Sequence, residues 1–193
     1  AYGLWSETLR VEGVVHTGEV YGRWFRCICT DSVAGSLDPQ PPDDEPWPYS
    51  YPPWEPKDVG RTTCAIDSTD RRILNVTISN GYPSYWGDCT VKFENTGSVP
   101  VVIRGYQIVA HNFDLASDHG EGDGEIWANY TDGVGAQMEP CPHTTCRQSG
   151  NLEFHVEQPA LENHTYQFSV LLCLGQWNES ATAEECIAAA PDY

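Results

Sequence analysis

Seven stretches of this chain alternate apolar and polar side chains residue by residue, and a period of two is the signature of half-buried β-strands. The stretches are Leu9-Arg10-Val11-Glu12-Gly13-Val14-Val15, residues 19–29, residues 72–78, Cys89-Thr90-Val91-Lys92-Phe93-Glu94-Asn95, the long apolar run 99–110, residues 151–157 and residues 165–173. Turn formers punctuate them: Thr17-Gly18, Asn80-Gly81, Thr96-Gly97 and Gly150-Asn151. Short strands separated in this way predict an all-β chain, folded as a two-sheet antiparallel, jelly-roll-like sandwich with long loop insertions. At 193 residues the chain suits one such domain, placed at residues 9–193 behind an N-terminal segment 1–8. Helix signals are confined to Thr182-Ala183-Glu184-Glu185-Cys186-Ile187-Ala188-Ala189-Ala190. There Thr182 and Glu185 form a capping box and Pro191 stops a short C-terminal helix.

A core of this size needs no covalent staples, yet the chain carries eight cysteines: Cys27, Cys29, Cys64, Cys89, Cys141, Cys146, Cys173 and Cys186. An even number in an ordinary-sized domain points to four disulfides and an oxidising compartment. Cys27 and Cys29 share one face of a strand and are expected to take different partners, while Cys141 and Cys146 are a local candidate pair. The rival reading makes metal ligands of Cys27-Ile28-Cys29 and of Cys141-Pro142-His143-Thr144-Thr145-Cys146, but zinc sites built on cysteine use a second matched pair that is missing here. Asn75, Asn129, Asn163 and Asn178 open N-x-[ST] sequons, which makes N-linked glycans the expected modification. The chain starts Ala1-Tyr2-Gly3 and its one methionine is Met138, which fits a removed leader. Together these features predict a secreted or cell-surface protein. No run reaches the ~20 apolar residues of a membrane-spanning helix, so membrane insertion is not expected.

The formal net charge is −18, from 28 acidic and 10 basic side chains. Such a surface repels nucleic acid and anionic membrane. The densest group of hard oxygen ligands is Asp118, Glu121, Asp123 and Glu125 in the Gly-rich stretch after His111, a candidate calcium site that lacks the EF-hand spacing and reads equally as a solvated loop. Residues 38–58 hold eight prolines with Trp47, Tyr49, Tyr51 and Trp54 among them. Proline fixes φ and removes the ladder donor, so this insertion is an extended loop, either packed on the sandwich or presenting its aromatics to a glycan or neighbour. His-Glu-x-x-His, Gly-x-Ser-x-Gly and phosphate-loop motifs are all missing, and a non-enzymatic role is expected.

Three blocks of sequence resemble one family, in the same order. They are Ser6-Glu7-Thr8-Leu9-Arg10-Val11-Glu12-Gly13-Val14-Val15-His16-Thr17-Gly18-Glu19-Val20, then Leu74-Asn75-Val76-Thr77-Ile78-Ser79-Asn80-Gly81-Tyr82-Pro83-Ser84-Tyr85 with Val91-Lys92-Phe93-Glu94-Asn95-Thr96-Gly97-Ser98-Val99-Pro100-Val101, and last Tyr166-Gln167-Phe168-Ser169-Val170 through Gln176-Trp177-Asn178. They resemble TasA/camelysin-type biofilm-matrix fibre proteins and the related archaeal bundling pilins. The blocks cover about the core third of the chain. The eight cysteines, the proline-rich insertion and the sequons depart from the family pattern. The resemblance implies a filament or pilus subunit, of archaeal type given the glycosylation, that donates its N-terminal strand to the next copy.

The residues bear on that implication. From Trp5 to Val15 the odd positions are mostly apolar, as a strand lying in a groove requires. The donor is placed at Ala1, Tyr2, Gly3, Leu4, Trp5, Ser6, Glu7 and Thr8, with residues 9–15 kept in the subunit's own sheet. The alternative for residues 1–15 is a first strand entirely internal to the subunit. The expected partners are further copies of the chain, and beyond them surface glycans or neighbouring filaments. The rival function is a monomeric glycan-binding or adhesion module using the aromatics of residues 47–54.

Overall fold

The computed structural model describes residues 17–31, 60–83, 85–120, 122–161 and 163–179. Within them nine strands run in the order β1 (Gly22–Asp31), β2 (Arg61–Ile66), β3 (Ile73–Gly81), β4 (Trp86–Asn95), β5 (Val101–Ala110), β6 (Ile126–Thr131), β7 (Gln137–Met138), β8 (Arg147–Val156) and β9 (His164–Gln176). They form two antiparallel sheets, a four-stranded one in the order β1-β4-β8-β6 and a five-stranded one in the order β2-β3-β9-β5-β7. Packed face to face, the sheets make the expected sandwich, with no helix among the described residues. The C-terminal helix expected at 182–190, the insertion at 38–58 and the segment 1–8 lie outside the described residues.

Alternation explains which face each strand buries. In β3, Leu74, Val76 and Ile78 are inward and fully buried, while Asn75 and Thr77 between them are only half-buried. Strand β8 does the same with Leu152, Phe154 and Val156, and β9 with Tyr166, Phe168 and Val170. Trp24 sits at the centre with no exposed surface, edge-on to Phe93 at 5.4 Å and to Tyr130 at 6.1 Å between ring centroids. Each such aromatic removes ~150–250 Å² from water, worth about 4–6 kcal/mol of transfer free energy before ordering costs.

Two bulges reset the inward face. In β1 the register shifts between Trp24 and Arg26, so Gly22 and Trp24 point inward before it and Cys27 and Cys29 after it. In β5 the shift falls between Ile103 and Gly105, and the inward series passes from Ile103 to Tyr106, Ile108 and Ala110.

Departures from the sequence expectation have local causes. Strand β1 begins at Gly22 rather than residue 19, because Glu19 and Tyr21 are occupied by the 96–98 turn: Thr96 N and Gly97 N donate to Tyr21 O, and Ser98 N to Glu19 O. Gly150-Asn151 is not a turn but the middle of β8. Glycine is needed there because Tyr130 of β6 crosses it, its hydroxyl 2.1 Å from where a Cβ would stand. Strands β2, β6 and the two-residue β7 fall outside the stretches that alternation marks.

Asn95, at the end of β4, ties the loops of one end together. It is fully buried. Its Nδ2 donates to Val99 O at 2.9 Å and Met138 O at 3.0 Å, and its Oδ1 accepts from Gly97 N at 3.0 Å.

Candidate functional site: flanks, sequons and the acidic loop

One flank of the sandwich is closed covalently. Cys29 and Cys89 are direct register partners on β1 and β4 and form a disulfide within the four-stranded sheet. Cys27 reaches across to Cys64 on β2, joining the two sheets at their edge strands. The neighbouring cysteines of β1 thus take different partners, and Cys141–Cys146 closes the expected local loop. Cys173 is disulfide-bonded too, and Cys186 lies outside the described residues. With Cys27, Cys29, Cys64, Cys89, Cys141 and Cys146 all bridged, the cysteine-metal alternative has no free thiolate to use.

The opposite flank is built differently. Strand β5 pairs with β9 along its length, but on its outer side it meets only the two-residue β7, at Val101 and Val102, and one isolated bridge from Ile103 to Val134. Among the described residues, 104–110 carry no strand on that side. Strand β6, the edge of the other sheet on the same flank, is bridged on its outer side only at Ile126, to Leu115, among the described residues. Between these two edges the core is thinly covered. Tyr106 and Ile108 of β5 and Leu172 and Leu174 of β9 face inward and pack on the core, yet all four are only half-buried. Tyr106 spans the flank, its hydroxyl donating to Asn129 Oδ1 at 2.6 Å and its ring 5.5 Å from that of Tyr130. Burial pushes the Tyr130 hydroxyl up to about 12, with the Asp132 carboxylate adding to the shift. Sequence reasoning found β5 but not this gap. The gap depends on the bulge at residue 104 and on the brevity of β7, and neither leaves a mark in the alternation.

The sequons fall on different surfaces. Asn163 and Asn178 are exposed in turns before and after β9. Asn75 points outward beside inward Leu74, as the alternation requires. Its Oδ1 accepts from Ser169 Oγ at 2.7 Å, and that hydroxyl also lies 2.7 Å from His111 Nε2. Because the serine proton goes to Asn75, His111 is the donor in its contact with Ser169, the reverse of an activated nucleophile. Asn129 is half-buried and engaged by Tyr106.

In the loop between β5 and β6 the acidic side chains hold their own backbone. Asp123 accepts from Ser117 Oγ and from Ser117 N, and these bonds, the hydroxyl foremost, hold its carboxyl below the usual range. Asp118 Oδ1 accepts from His119 N at 2.7 Å and Glu125 Oε2 from Asp114 N at 3.2 Å. The three therefore face separate groups rather than one shared point, and Glu121 lies outside the described residues, as do Trp47, Tyr49, Tyr51 and Trp54 and the donor segment Ala1 to Thr8.

Compared with protein-family models, with curated proteins and with solved structures, the chain matches none. No helix among the described residues is long and apolar enough to cross a membrane. The bridged cysteines are compatible with an extracellular setting.

Proposed function

We propose that this chain is a structural subunit of an extracellular filament, polymerising head to tail as residues 1–8 of one copy add to the β5 edge of the next. The observation that supports the reading best is the outer side of residues 104–110, which no strand pairs among the described residues, lying over inward but half-buried Tyr106, Ile108, Leu172 and Leu174. An unpaired edge above exposed core is a hazard in a protein of one copy and a socket in a polymer. An added strand supplies ladder bonds to β5, and its apolar side chains cover the gap. Successive side chains of a strand face opposite ways, so Trp5 on the odd-numbered face suits that task, at about 25 cal/mol per Å² of apolar surface removed from water. Donation from one copy to the next is a head-to-tail contact, and one that does not close into a ring gives a fibre.

Deleting residues 1–8 is expected to abolish fibres seen by electron microscopy while leaving the sandwich folded by circular dichroism. A synthetic peptide of residues 1–8, added in excess to the full chain, is expected to occupy the edge and slow growth. Fibres formed by the truncated chain would overturn the assignment of the donor. A full-length protein that stays monomeric at high concentration would overturn the filament itself.

A further inference from the structure

On the outer face of the four-stranded sheet three ligand-type side chains converge. Strand β8 buries Phe154 and Val156 in the core, so His155 between them stands on the outer face. Its register partners are Trp86 on β4 and Trp127 on β6. Outward positions of a sheet are ordinarily polar. Here the two indoles lean together to 6.0 Å, with Trp86 at 5.0 Å from the His155 ring. The loop between β5 and β6 then lays His119 over this row, 4.4 Å from His155, 5.2 Å from Trp86 and 5.8 Å from Trp127. His155 is left 8% exposed although it lies outside the core.

The third side chain is Glu157, one residue beyond β8 and 3% exposed. Its Oε1 accepts from His155 Nδ1 at 2.8 Å and from Gly120 N at 3.2 Å. Gly120 has a φ of +83°, which lets the loop turn its amide onto the carboxylate. No Lys or Arg pairs with Glu157 among the described residues, although a buried carboxylate needs a compensating charge. The His119 ring nitrogens have no hydrogen-bond partner among the described residues. One ligand atom from each of His119, His155 and Glu157 lies within 4.8 Å of the other two.

We propose that His119, His155 and Glu157 bind a divalent transition-metal ion of the zinc class. Two imidazoles and one carboxylate form a borderline ligand set that suits zinc or cobalt rather than calcium or magnesium. Ligand bonds of about 2.0–2.2 Å to one tetrahedral ion put the ligand atoms about 3.4 Å apart. The ion takes the place of the hydrogen between His155 Nδ1 and Glu157 Oε1, the neutral ring carrying its proton on Nε2 instead, and the exposed His119 swings in as third ligand. A fourth position stays open to solvent on the outer side. The ion supplies the positive charge that Glu157 lacks, and it clips the β5–β6 loop to β8. The site lies on the outer face of the four-stranded sheet and does not rest on the filament reading.

The test uses the full chain, stripped with EDTA and titrated with Co²⁺ and then Zn²⁺. One equivalent of Co²⁺ is expected to give the visible absorption of a four- or five-coordinate site, to quench part of the tryptophan fluorescence through Trp86 and Trp127, and to be displaced by Zn²⁺. His119→Ala should bind at least tenfold more weakly. It should fold normally, since the exposed His119 side chain makes no hydrogen bond among the described residues. His143→Ala, in the exposed Cys141–Cys146 loop, should bind as the parent does. Glu157→Gln should lose affinity while keeping an acceptor for Gly120. Weak, multiple binding to the acidic surface, or affinity unchanged in His119→Ala, would overturn the proposal.

Discussion

Removing the bridges one at a time should expose a gradient set by how much chain each one closes. The partners are 5 residues apart in Cys141–Cys146, 37 in Cys27–Cys64 and 60 in Cys29–Cys89. The loop-closure relation for the unfolded chain gives about 2, 3.8 and 4.3 kcal/mol at 25 °C respectively. Replacing Cys29 and Cys89 together by Ala adds a packing loss, because Cys89 is fully buried, whereas Cys27 and Cys64 are half-buried and add less. For a chain of this length 1 kcal/mol moves Tm by about 2–4 °C, so the short bridge should cost about 4–8 °C and the longest about 9–17 °C or more. The losses for the two long bridges should not add, because their loops share most of their residues. Guanidinium unfolding of the three paired Cys→Ala variants, followed by tryptophan fluorescence under non-reducing conditions, measures the series. If the Cys141–Cys146 variant loses as much as either long-loop variant, the entropic reasoning fails for this protein.

Asn95→Ala takes the amide donor from Val99 O and Met138 O, while Gly97 N keeps its bond to Tyr21 O, and should cost about 2 kcal/mol in the same assay. Asn95→Asp should be no better, since it sets an acceptor against the carbonyls of Val99 and Met138. Tyr130 should remain protonated after ordinary tyrosines ionise, and ultraviolet titration of a Tyr130→Phe variant should show that the missing transition is the one near pH 12. Its folded value is raised, so the stability it contributes is complete below the ordinary tyrosine range near pH 10 and is lost as pH climbs through about 12. The parent should therefore lose stability over that alkaline window more steeply than Tyr130→Phe.

The strands that alternate cleanly are the ones the sequence reveals. Strands β3, β4, β5, β8 and β9 have large aliphatic or aromatic residues at their inward positions. Strand β2 offers Thr62, Cys64 and Ile66 inward, and β6 has Ala128 between Ile126 and Tyr130, so their period is muted. Gly150 reads as a turn because the need for it arises from Tyr130, twenty residues away in another strand. Cys141–Cys146 is legible because local geometry decides it, whereas Cys27–Cys64 depends on how two sheets stack. The His119, His155 and Glu157 cluster is silent for the same reason: a crossover loop brings its first member to the other two. One trace was available, in that Trp86, Trp127 and His155 all carry rings at outward strand positions where polar side chains are the rule.

The Cys29–Cys89 bridge also sets how far this molecule can be stretched. Any pull applied along the chain passes through that bond and bypasses the 60-residue span it closes. At about 3.4 Å per residue, roughly 200 Å of contour stays hidden while the bond holds. The molecule under tension is therefore short and stiff in an oxidising medium. Reduction releases that slack and turns the same fold into an extensible tether.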